Sequence, residues 1–129
     1  MSGMQRVQKI RALEHQRALR DLANVEADLA RSRAALTAQE DAFMSQAQRA
    51  PVTAAQLVDA EISRVGLTHR IAQLSQSREQ AAAASRAAAM ANKQVELMVE
   101  RQHSAALAER EGKEARAMDE LAAQTWNRK

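Results

Sequence analysis

Three histidines, His15, His69 and His103, are the side chains of this sequence best suited to bind a metal or move a proton. None stands at ligand spacing from another histidine or from a carboxylate pair, so no zinc-helix pattern forms. Cysteine is absent, which excludes thiolate ligands, a thiol nucleophile and disulfides. The three glycines, Gly3, Gly66 and Gly112, are scattered and make no phosphate loop. Serines and aspartates occur, but a slim helical chain offers no cavity to exclude water around them. The sequence therefore predicts no catalytic, cofactor-binding or metal site, and no small-molecule substrate.

Charge offers a second route to function. The chain carries a net charge of +3, unevenly spread. Residues 1–25 hold Arg6, Lys9, Arg11, Arg17 and Arg20 against Glu14 and Asp21. Residues 40–66 hold Glu40, Asp41, Asp59 and Glu61 against Arg49 and Arg64. Arg6, Lys9 and Arg11 are suited to phosphates or to an acidic protein surface. No aromatic side chain interleaves with them, and no continuous basic stripe runs along the chain, so a nucleic-acid partner is not expected.

The elements that carry these residues follow from composition. Of 129 residues, 30 are Ala, 13 are Gln and 11 are Leu, with one Phe, one Trp and no Tyr. Alanine supplies about half of the apolar content, too little bulk for a compact core. The dominant residues are strong helix formers, and helix breakers are nearly absent. No apolar run reaches the ~20 residues that span a bilayer, and the N-terminus shows no signal-peptide core. A cytoplasmic protein is expected.

Leu22, Leu29, Leu36 and Phe43 recur every seven residues, with Met4, Ala18 and Val25 at the complementary heptad positions. That narrow stripe is a coiled-coil seam on a helix from about 3 to 49. Arg11, His15, Ser32 and Gln39 fall at seam positions where leucine would pack better. Pro51, the single proline, sets a turn at about 49–53, with Thr53 placed to cap the returning helix. A possible break is marked near Gly66, where the apolar phase moves from Val58 and Val65 to Leu67, Ile71 and Leu74. The second helix then runs from about 67 to 125, its seam continuing through Ala81, Ala88, Val95 and Val99.

The fold expected is all-α: one domain, 1–129, forming a long antiparallel two-helix coiled-coil hairpin with a longer C-terminal helix. Reversal near 51–52 sets residue i against about 103 − i, so Leu36 meets Leu67, Leu29 meets Leu74 and Leu22 meets Ala81. About 25 residues of the second helix then extend past the first, or ~37 Å. This overhang carries Leu107, Met118, Leu121 and Trp126 without an internal partner, so a partner from outside is expected. Trp is a favoured interface anchor. The stretch from Glu109 to Leu121 is rich in i, i+4 ion pairs that support a solvated helix. Phe43 continues the seam close to the turn.

The segment Lys93-Gln94-Val95-Glu96-Leu97-Met98-Val99-Glu100-Arg101, followed by Glu114-Ala115-Arg116-Ala117-Met118-Asp119-Glu120, resembles the C-terminal half of the FliJ family. There a Lys-x-x-Glu-Leu-Leu-x-x-Arg segment precedes a charged Glu-Gln-Lys-x-Leu-Asp-Glu ending. Here Met118 replaces the leucine, Arg116 replaces the lysine, and the glutamine is lost. The resemblance covers about 30 residues of this chain.

That resemblance implies a stalk protein of the flagellar export ATPase, akin to the YscO/HrpO stalks of injectisomes and to the gamma stalk of rotary ATPases. Its partners would be a hexameric export ATPase, an export-gate membrane protein and export chaperones, at the cytoplasmic face of the inner membrane. The ring contacts would come from Arg6, Lys9 and Arg11 with Arg110, Lys113, Arg116, Met118, Asp119, Glu120, Leu121 and Trp126. Phe43, near the turn, would lie toward the gate. The competing reading is a coiled-coil adaptor that dimerises through its overhang.

Overall fold

The computed structural model describes residues 2–128, and among them the chain forms two helices and no strand. Helix α1 spans Gly3–Arg49 and helix α2 spans Ala54–Asn127, 47 and 74 residues long. Both helices start from the same local device. The Ser2 hydroxyl accepts the Gln5 N–H at 3.2 Å, and the Ser2 N–H donates to Gln5 Oε1 at 3.0 Å. Thr53 and Gln56 repeat this with the same two distances. Each is a capping box, which satisfies two of the N–H groups that a helix start leaves without partners. Pro51 lies between the helices, where it has no helical hydrogen bond to break.

The chain divides into two compact units. One is Leu13–Ala89, which contains the turn. On α1 the covered seam of this unit is His15, Ala18, Leu22, Val25, Leu29, Ser32, Leu36, Gln39 and Phe43, alternating three and four apart, with Asp28 half-buried beside it. On α2 the matching series is Ala60, Leu67, Ile71, Leu74, Ala81, Ser85 and Ala88. The steps missing from that series are Arg64 and Arg78, which turn outward. Arg64 binds Glu61 with Nε at 2.9 Å, and Arg78 Nε reaches Glu26 on α1 at 3.5 Å. The antiparallel register near 103 − i therefore holds along this hairpin, with Leu29 opposite Leu74. The core is thin: Leu29 is 4% exposed, and small Ser32 and Ser85 are the buried polar positions of the same seam.

The second unit joins residues 2–12 to residues 90–128. Here Met4, Gln8 and Ala12 are half-buried, and so are Ala91, Asn92 and Val99, around a buried Val95. The amide oxygens of Gln39 in the hairpin and Asn92 in this unit are covered and accept no hydrogen bond. Such seam residues weaken packing while opposing other registers.

Three expectations need correction. No break occurs at Gly66, and α2 starts at Ala54 instead of 67 and runs through without interruption. Gly66 has no positive φ, and a Cβ there would meet nothing within 4 Å. A glycine costs only ~1 kcal/mol in a helix interior, which long flanks of helix formers offset. Val58 and Val65 are not an earlier phase of the seam. With Ile62 they lie on the outer face of α2, each more than half exposed. Finally, Arg11 is exposed and the adjacent Ala12 takes the covered position, since a guanidinium resists burial more than a methyl group does.

Candidate partner-binding surface

Beyond Glu100, every described residue of α2 is exposed except Gly112, which is half-buried. Leu107 is 41% exposed, Met118 68%, Leu121 59% and Trp126 77%. A helix projects successive side chains ~100° apart, so sequence spacing fixes which of them share a face. Leu107, Glu111, Glu114, Met118 and Leu121 follow steps of four and three along one stripe. Ala108, Ala115, Ala122 and Trp126 flank it on one side, widening the apolar face. Lys113, Arg116 and Glu120 lie on the opposite side, with Arg110 and Asp119 at the borders.

The α2 residues expected from sequence to meet a partner thus fall on both sides of that helix, while Arg6, Lys9 and Arg11 lie on α1. Met118, Leu121 and Trp126 supply the apolar face, and Lys113, Arg116 and Glu120 the charged one. Continuing the covered seam of α2 past Val99 leads to Gln102, Ala106, Glu109 and Lys113, which are mostly polar. The apolar face is therefore rotated away from the seam and is not an extension of it.

Local ion pairs hold the charged side. Lys113 Nζ lies 3.5 Å from Glu109 Oε1, and Arg110 Nε lies 3.5 Å from Glu114 Oε1. Arg116 Nε donates to the Gly112 carbonyl at 3.3 Å, and the Thr125 hydroxyl donates to the Leu121 carbonyl at 2.9 Å. Exposed pairs of this kind contribute a few tenths of a kcal/mol each. They support an unpaired helix without binding it to anything. At the start of α1, Arg6, Lys9 and Arg11 are exposed as well, beside Val7 and Ile10.

Phe43 belongs to the hairpin unit, near the turn. It is half-buried and lines an open cleft of about 330 Å³ with Gln39, Met44, Leu57, Ala60 and Arg64. Met44 and Leu57 are exposed along that cleft, so sequence spacing alone missed a wider apolar surface there. The Arg64 hydrogen bonds hold the Glu61 carboxyl below the ordinary glutamate range and raise the Arg64 guanidinium in turn.

Among the described residues, no group of three or more His, Asp or Glu side chains is arranged to hold a metal ion. No described helix is long and apolar enough to cross a membrane. No protein-family model matches the chain, and no curated protein or solved structure matches it either.

Proposed function

We propose that this chain is a non-enzymatic stalk and regulator of a flagellar or type III protein-export ATPase. The C-terminal segment of α2 inserts into the hexameric ring, and the turn end of the hairpin, with Phe43, is directed toward the export-gate membrane protein. Escort of export chaperones belongs to the same reading, as does a cytoplasmic position at the inner-membrane export apparatus. One observation carries it: residues 101–127 continue α2 as a helix on which Leu107, Met118, Leu121 and Trp126 are all exposed. Large exposed apolar side chains on one face mark a binding surface. A ring lumen surrounds its occupant, so it engages an apolar face and a charged face together. The resemblance of Lys93–Arg101 and Glu114–Glu120 to FliJ proteins supports the choice of socket.

The test is ATP hydrolysis and ring assembly by a hexameric export ATPase. Addition of the full chain is expected to raise both, and a chain lacking residues 105–129 is expected to raise neither. Equal effects from both chains, or none from either, would contradict the proposal.

A further inference from the structure

We infer that Glu111 and Glu114 choose the occupant of the apolar face of α2. They bar a second copy of this chain and call for an apolar socket rimmed by arginine or lysine. The identity of the socket rests on the stalk reading above, but its chemistry does not.

The stripe Leu107-Glu111-Glu114-Met118-Leu121 has the same alternation of four and three that packs α1 on α2 in the hairpin. A seam of that spacing can pair with a copy of itself. In the antiparallel register that sets Leu107 against Met118 of the copy, Glu111 meets Glu114, so four carboxylates share the middle of the contact. In parallel alignment Glu111 meets Glu111 and Glu114 meets Glu114. Sliding the antiparallel register by one heptad sets Glu111 against Leu121 and Glu114 against Met118, which buries each charge on an apolar side chain. Burial without a partner is strongly unfavourable for an ionised carboxylate.

The chain itself relieves little of this. Glu111 has Leu107 and Ala108 before it and Glu114 and Ala115 after it at helical contact spacing, so no cation is within reach on its own helix. Like charges so spaced repel, and an outside cation would relieve them. Glu114 is bound to Arg110 by an exposed pair. Elsewhere the chain meets a seam charge with its opposite: Glu26 answers Arg78, and Glu61 answers Arg64. By the same rule the partner of this stripe supplies the cations, and its apolar pockets receive Leu107, Met118, Leu121 and Trp126.

Sedimentation equilibrium tests the first half on the full chain. The wild type is expected to stay monomeric, and E111L/E114L to dimerise at least about tenfold more tightly. Adding L121E to that variant should restore the monomer, and unchanged far-UV circular dichroism would show that each variant is folded. A wild-type dimer sensitive to L121E, or a double variant that stays monomeric, would overturn the inference. The second half uses the export ATPase as probe: E111K should weaken binding about tenfold or more, and added salt should weaken the wild type. Equal binding by wild type and E111K would overturn the cationic rim while leaving the stalk reading intact. Failure of the wild type to bind that ATPase, together with the expected sedimentation results, would remove the stalk reading and uphold the barrier to self-pairing.

Discussion

Arg78 Nε stands 3.5 Å from Glu26 Oε1, joining α2 to α1 at a position where the seam of α2 carries a cation. Both side chains are half exposed, so water screens the pair and its direct contribution to stability stays below about 1 kcal/mol. Its value lies in register. Sliding α2 by one heptad would take Arg78 away from Glu26 and break the pair.

Register can be read by engineered disulfides, which form only when Cα atoms approach within ~7 Å. Ala18 and Ser85 lie opposite one another in the observed alignment, whereas Ala18 and Ala81 are a helical turn out of step. A18C/S85C should oxidise within the monomer and A18C/A81C should not, as judged by mobility on non-reducing gels. The reverse pattern would mean a different alignment.

Because so little is buried, single core contacts carry a large share of stability. Leu29 is 4% exposed, and L29A should lower the unfolding free energy by about 2 kcal/mol, the low end for buried leucines, since a thin core can collapse around the gap. Leu121 is 59% exposed, and L121A should change stability by less than about 0.5 kcal/mol. Urea unfolding followed by circular dichroism separates the two. Equal losses would show that Leu121 is packed within the chain.

Gly66 lies in an uninterrupted helix, has no positive φ, and leaves space for a Cβ. G66A should therefore stabilise the protein by about 0.5–1 kcal/mol, mainly by removing freedom from the unfolded chain. A loss of thermal stability on that substitution would mean that the helix needs flexibility at this point.

The Glu61 carboxyl is held below its usual range mainly by its hydrogen bonds to Arg64, with their charge attraction adding to the shift. A carboxyl lowered in the folded state contributes stability above its unfolded value, and that contribution disappears as pH falls through the folded value. Carbon-detected NMR titration should find Glu61 below the ordinary glutamate range, and R64Q should bring it back toward that range. An unshifted Glu61 in the wild type would contradict the geometry.

Much of the hairpin was legible in the residues. The leucines at 22, 29 and 36 named the seam of α1, Pro51 located the turn, and the pairing of Leu29 with Leu74 followed from arithmetic. Gly66 misled because Val58 and Val65 are apolar yet face outward, and periodicity alone cannot tell an outer stripe from a shifted seam. The Thr53-x-x-Gln56 box is a sequence signal for a start of α2 at Ala54, and the expectation of a start near 67 passed over it. The overhang was legible from helix lengths, but the division of its residues into an apolar and a charged face was not. That division needs an unbroken helix beyond Val99 and depends on where the covered seam ends.

Trp126 is the sole tryptophan of the chain and is 77% exposed, so its fluorescence reports directly on the end of α2. The decisive measurement is iodide quenching of Trp126 emission, free and in complex with a tryptophan-free variant of the export ATPase. The account predicts strong quenching in the free chain, and a blue-shifted, protected Trp126 in the complex. A Trp126 quenched equally in both states would contradict it.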